Sequence, residues 1–327
     1  MSAPLPVAGV LVADGEPSAA YRRLDLASGE YAGCAPVDGG LAVAVPQGTY
    51  AHLGQDYEYA TWIAPPVAPG FGFRELIPSW AADTPAGTWI EVCVRVRPAG
   101  TRGYSRWFVA ARWAAGPAKL PQQSDPAGYL DRDTLHAHTG RSGDAWQLRV
   151  TLLRPAGTST TPVLRYAGAV ASGPVPVRAP SRPGPHAGRL LPVPDGAASA
   201  VGAVLRYWGV SAPADGWGTS DISRSSAAAY AAGFGLDAFV TRLRDLTEAE
   251  EFLAAGVPLV LELADRRPVV LAGLDRDGRA AVHDQAGRAL YERATLEADW
   301  LAGSGGVVLV IRPLPAQLPA RRPDATR

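Results

Sequence analysis

Histidine, cysteine, serine and paired acidic residues are the side chains that move protons or attack carbonyl carbons. In this chain of 327 residues, with 5 histidines and 2 cysteines, they are few and far apart. His283 and Asp284 set a base beside a carboxylate, but neighbours on a strand point to opposite faces and are poorly placed for a direct dyad. Ser199 lies in Asp195-Gly-Ala-Ala-Ser-Ala-Val-Gly202 without a Gly-x-Ser-x-Gly elbow, so a capping or core-facing serine is expected in preference to a nucleophile. Cys34, in a Gly-rich turn region, and Cys93, on a strand face with Glu91 and Arg95, read as structural cysteines. His136 and His138, with Asp131 and Asp133, have the alternating spacing of one strand face. No third ligand is identifiable, so a solvated loop is expected, with no metal and no cofactor. Arg266 and Arg267 could form an anion site, and the plainer reading is a solvated turn before Pro268.

These residues sit in a chain of two textures. Up to about residue 175, short β-rich runs alternate with Gly/Pro clusters, as in an all-β sandwich. The runs are 7–12, 41–45, 58–63, 88–96, 105–113 and 147–153. Ile90, Val92, Val94 and Val96 share one strand face and Glu91, Cys93, Arg95 and Arg97 the other, which predicts a half-buried strand. Helices are then expected near 196–208, 224–232 and 247–255, the last opened by a capping box at Thr247-Glu-Ala-Glu250. Strands follow at 258–263, 268–274, 279–284 and 306–312, with a short helix near 295–301, an α+β order.

The expected organisation is a β-sandwich domain over 1–175, a Pro/Gly-rich linker over 176–189, an α+β domain over 190–313 and a disordered tail over 314–327. The formal charge is zero, from 31 basic and 31 acidic residues, so no electrostatic footprint for nucleic acid is present. No run approaches the roughly 20 apolar residues of a membrane span, and no signal peptide is visible at the N-terminus. The sequence alone therefore suggests a cytoplasmic protein.

Several blocks are similar to those of two-domain bacterial proteins in the bacteriocin-processing type of papain-like cysteine peptidases, family C thirty-nine. In the first half they are Tyr59-Ala-Thr-Trp62, Trp80-Ala-Ala-Asp-Thr-Pro-Ala-Gly-Thr-Trp-Ile-Glu91 and Arg112-Trp-Ala-Ala-Gly116. In the second they are Leu205-Arg-Tyr-Trp-Gly209, residues 228–243, Leu246-Thr-Glu-Ala-Glu250, residues 255–260 and Gly303-Ser-Gly-Gly-Val-Val308. The resemblance implies an N-terminal all-β sandwich followed by a C-terminal α+β papain-like cysteine-peptidase-type domain, and it suggests secretion. It also implies a cysteine at the start of a nucleophile helix, a histidine opening a later strand and an acidic or amide partner ending the next. In this chain those columns fall on Gly196, Arg267 and Asp284, and only Asp284 matches. Arginine stays protonated and cannot take a proton from a thiol. The segments around the implied cleft, 190–196, 210–226 and 265–268, are short, and the first lacks the family's oxyanion-hole glutamine.

The expectation is a pseudopeptidase that binds a peptide, protein or glycan partner, with Ser199, Arg266, Arg267 and His283 as groove candidates. An active hydrolase with a site rebuilt near Asp284 is the alternative. A carbohydrate-binding or adhesion module is a third, suggested by Trp62, Trp80, Trp89, Trp107, Trp113 and Trp146, although such residues are more often core.

Overall fold

The computed structural model describes residues 11–314, apart from 14–15, 117–119, 174–179, 185, 187, 214–222, 276 and 285. The expected tail from 315 onward, most of the expected first strand and part of the expected linker lie outside the described residues.

The first half is built of strands alone. They are β1 (Leu11–Ala13), β2 (Glu16–Arg23), β3 (Glu30–Ala32), β4 (Cys34–Val37) and β5 (Gly40–Val43). Next come β6 (Gly48–His52), β7 (Gln55–Ile63), β8 (Glu75–Asp83), β9 (Trp89–Pro98) and β10 (Phe108–Trp113). The last are β11 (Gln123–Ser124), β12 (Gly128–Asp131), β13 (Thr134–Ala137), β14 (Gly143–Pro155) and β15 (Val163–Ser172). One sheet runs β1-β2-β15-β8-β13-β12-β11, with β5 on β15 and β4 on β5; the other runs β10-β9-β14-β7-β3, with β6 on β7. Ile90, Val92, Val94, Leu148 and Val150 of the second sheet share a core with Leu76, Trp80, Leu164 and Ala169 of the first. The alternation read along β9 thus holds: its apolar face turns inward and its Glu/Cys/Arg face outward.

The second half contains α1 (Ala200–Tyr207), α2 (Arg224–Ala232), β16 (Leu236–Arg242), α3 (Leu246–Ala254) and β17 (Leu259–Glu262). It continues with β18 (Pro268–Leu274), β19 (Ala280–Asp284), β20 (Gly287–Tyr291), α4 (Arg293–Ser304) and β21 (Val307–Pro313). One antiparallel sheet, β16-β21-β17-β18-β19-β20, carries these helices.

Three local expectations change. Helix α1 starts at Ala200, not 196, because Ser199 is its N-cap: Gly202 N donates to Ser199 Oγ at 3.1 Å. Helix α3 is capped by Asp245, whose carboxylate accepts from Thr247 N and Glu248 N. Thr247 instead turns its hydroxyl to Arg182 O at 3.1 Å. The third change is α4, which runs the full span Arg293–Ser304 because its face with Leu296 and Trp300 is buried against the sheet, and Trp300 Nε1 donates to Val307 O at 2.9 Å.

The two halves share buried surface. Ala19, Ile77, Ala81, Tyr166 and Val170 belong to the same apolar core as α2 and β16. Tyr21 stacks on Phe239 with ring centroids 4.6 Å apart. Ser225 N donates to Asp133 Oδ2 at 2.8 Å, Ser225 Oγ to Pro78 O at 2.6 Å and Val240 N to Ser79 Oγ at 2.9 Å. Buried Asp237 accepts from Arg23 at 3.0 Å and from Arg312 at 3.1 Å. A buried polar group left unpaired costs about 1–3 kcal/mol, so these matched partners fix how the halves meet. The described part of the Pro/Gly-rich segment is also docked: Gly184 N donates to Glu250 Oε1 at 2.9 Å, and Ser181 N to Glu297 Oε1 at 2.7 Å.

Candidate functional site

The segment entering α1 is placed by the sheet. Leu191 N donates to Ala272 O and Gly188 N to Leu274 O, both at 2.7 Å, along the part of β18 that β17 does not cover. This carries Asp195 and Gly196 to the end of β19. At its other end α1 is anchored by the residues after Leu205 and Arg206: Tyr207 OH donates to Gly256 O and Trp208 Nε1 to Ile311 O, each at 2.9 Å.

Gly196 precedes the N-cap by three residues and adopts φ +72°, a conformation that L side chains rarely take. A Cβ there would meet no heavy atom within 4 Å, so backbone conformation and not crowding favours glycine. Its carbonyl accepts from Arg206 Nη1 at 3.0 Å.

Arg267 and Asp284, at the ends of adjacent strands β18 and β19, are in contact: Arg267 Nη1 donates to Asp284 Oδ2. Asp284 Oδ1 also accepts from Ala286 N at 2.8 Å. The guanidinium is held above the ordinary arginine value, chiefly by its hydrogen bond to Tyr291 and then by that to Asp265. Asp265 in turn is held below the usual carboxylate range, chiefly by the backbone N–H of Arg267, which donates at 3.0 Å. Arg266 sits in the tight turn between β17 and β18 with φ +66°, its N donating to Leu263 O at 2.8 Å.

His283 points to the other side of β19 from Asp284. Its buried Nδ1 lies 3.0 Å from Oδ1 of the exposed Asp195. The sequence candidates therefore form two separate pairs, Arg267 with Asp284 and His283 with Asp195. Ser199 belongs to neither. Its hydroxyl caps α1 beside a cavity of about 20 Å³ lined by Gly202, Arg206 and Tyr230, room for about one water. A carboxylate-oriented imidazole can act as a base, but it needs a nucleophile within about 3.2 Å. Cys34 and Cys93 are both buried in the first half. Asp195 and Tyr291 are the two partners that sequence reasoning missed. Asp195 is adjacent to Gly196, but nothing in the sequence ties it to a histidine 88 positions later.

The remaining sequence candidates have structural surroundings. His136 is on β13, a strand and not the expected loop, stacked on Tyr129 at 5.1 Å and 3.6 Å from Glu75 Oε1. His138 Nε2 lies 2.8 Å from Asp125 O. Among the described residues no three His, Cys, Asp or Glu side chains are grouped to hold a metal ion. Cys34 is in strand β4, not a turn, because Ala35, Pro36 and Val37 pair with β5. Burial pushes the Cys93 thiol up to about 12, and Glu91 adds to the effect. Trp62, Trp80, Trp89 and Trp146 are fully buried, and Trp107 lies under the guanidinium of Arg95 at 4.3 Å.

Comparison with known proteins gives two matches. The family model described as Peptidase C39 N-terminal domain matches residues 18–172. A solved structure, described as the crystal structure of a double glycine motif protease from AMS/PCAT transporter in complex with the leader peptide, is similar at 19% identity with a TM-score of 0.31. That similarity covers 39% of this chain and 95% of the protease chain. No curated protein matches. Among the described residues no helix is long and apolar enough to cross a membrane. The family match spans the strand-built first half of the chain and ends at β15.

Proposed function

We propose that this protein acts by binding and not by cleavage, its second domain (190–313) being a papain-like peptidase scaffold without the peptidase's chemistry. The observation that supports this reading is the contact between Arg267 and Asp284. At the position where the family resemblance implies a histidine base held by an acidic partner, a permanently charged guanidinium occupies that partner. Gly196 offers no nucleophile. Loss of any one member of a coupled catalytic unit removes most of its rate, so two losses leave binding as the use of the scaffold. A peptide is the partner proposed for this domain, with Arg266, Arg267 and exposed Asp195 as the charged groups that would meet it.

The test incubates the full chain with a quenched fluorogenic peptide library and, separately, pans it against a displayed peptide library. The expected result is enriched peptides whose binding weakens at least tenfold on Arg267→Glu, and no hydrolysis. Hydrolysis abolished by one substitution in the second domain overturns the reading.

A specific observation favours the rival: the His283 and Asp195 pair has the geometry of an oriented base, so a hydrolase could be rebuilt around it. Under that rival, His283→Ala abolishes turnover. Under the binding reading there is no turnover to abolish.

A further inference from the structure

The two faces of the sandwich have different fates. The sheet containing β2, β8 and β15 is covered on its outer side by α2 and β16. The outer side of the other sheet carries a groove of about 420 Å³, within the roughly 300–1,000 Å³ usual for small-ligand sites.

Strand register orders the groove into rows across β7, β14 and β9. Tyr59, Leu153 and Trp89 lie opposite one another and form an apolar row, joined to Tyr57 in a cluster separate from the main core. The adjacent row is Thr61, Thr151 and Glu91, and the next is Ile63, Arg149 and Cys93. Tyr50, 38% exposed on β6, stands at the apolar end with its ring 6.0 Å from Trp89. An aromatic and aliphatic strip thus runs beside a strip of hydroxyl, carboxylate and guanidinium groups.

The polar groups are held in place and largely neutralised. Glu91 accepts from Arg112 Nε at 3.0 Å, Arg112 Nη2 donates to Tyr50 OH at 3.2 Å, and Arg149 Nη2 lies 4.0 Å from Glu91 Oε1 and 3.3 Å from Cys93 Sγ. Such a wall has little net charge to attract a free anion or cation. Strands β7, β14 and β9 are also interior to their sheet, so their backbone donors and acceptors are already used. An extended peptide docks by adding a strand at a sheet edge, and these three strands offer it no free edge.

We infer that this groove is a saccharide-binding site, taking a neutral sugar ring or short glycan whose C–H face lies on Tyr59 and Tyr50, which are backed by the buried Leu153 and Trp89. Its hydroxyls meet Thr61, Thr151, Glu91 and Arg149. Rigid aromatic area with pre-oriented donors and acceptors beside it is what an amphipathic ring requires. The four fully buried tryptophans, Trp89 among them, cannot serve as stacking platforms, so Tyr50 and Tyr59 take that role.

The test titrates the full chain with cellohexaose, chitohexaose, maltohexaose and a soluble arabinogalactan, followed by calorimetry and tryptophan fluorescence. At least one is expected to bind with a Kd of roughly 10 µM to 1 mM, and Tyr59→Ala to weaken it at least tenfold. Tyr50→Ala at an exposed position and Thr61→Arg, which fills the groove, are expected to do the same with unchanged circular dichroism and melting temperature. Arg267→Glu leaves glycan binding intact, so this site and the peptide reading of the second domain fail or stand separately. Absence of binding to all four glycans overturns the inference, as does binding that survives both Tyr50→Ala and Thr61→Arg, or displacement of the glycan by the panned peptides.

Discussion

Arg267 Nη1 donates to Asp284 Oδ2 across the ends of β18 and β19, linking the position of an expected base to that of its expected orienting partner. Gly196's neighbour Asp195 pairs instead with His283, on the other side of β19, and Gly196 has φ +72° three residues before the helix cap. Placing the cysteine and histidine that the resemblance implies at these positions should therefore not produce catalysis. The double variant Gly196→Cys with Arg267→His is expected to fold, to lose roughly 1–2 kcal/mol from the left-handed cysteine, and to release no product from a fluorogenic peptide.

Both thiols should be silent in the native protein. Cys34 is buried and its thiol is pushed up by that burial, while Cys93 is pushed up to about 12. Only the thiolate reacts, so iodoacetamide at neutral pH is expected to label neither residue until urea unfolds the chain. Intact-mass measurement with and without urea checks it.

The seam between the halves predicts a pH dependence. Burial alone would raise the Glu75 carboxyl, but its hydrogen bond to His136 and the charge of Arg242 outweigh this and lower it from 4.5 to about 2. A carboxyl lowered by folding stabilises the native state above its unfolded value, and that contribution is lost as pH falls through the folded value. It is thus complete above about pH 4.5 and fades towards pH 2, on the order of 3 kcal/mol in all. Glu75→Gln also leaves the buried Arg242 charge unmatched. Urea melts should show a large gap between wild type and variant at pH 7 that narrows between pH 4.5 and 2.

Gly303 explains part of the Gly303-Ser-Gly-Gly block. A Cβ there would lie 2.3 Å from Leu263 C and 2.5 Å from Ala264 N, in the backbone just past the end of β17. Backbone cannot yield as a flexible side chain can, so Gly303→Ala is expected to cost about 1–3 kcal/mol or more. Gly103→Ala, where a Cβ meets nothing within 4 Å, is the matched control and should be near neutral by thermal melting.

Strand β9 was legible because one face is wholly apolar and buried while the other carries the partly exposed Glu91, Arg95 and Arg97, which writes a period of two into the sequence. Strands β8 and β15 carry no such signal. Both their faces are buried in their central parts, one against the sandwich core and one against α2 and β16, so their residues are apolar or small almost throughout. The capped helices α2 and α3 could be read to within a residue or two, because caps and stops are local chemistry.

By itself the sequence determined the β-then-α+β order and the inward face of β9, since each is a property of residue type and local spacing. Tertiary structure alone decided that Arg267 meets Asp284, that His283 turns to Asp195, and that Tyr59, Leu153 and Trp89 line up across three strands. Those contacts join residues tens of positions apart, and they depend on strand register and pleat, which no local stretch of sequence specifies.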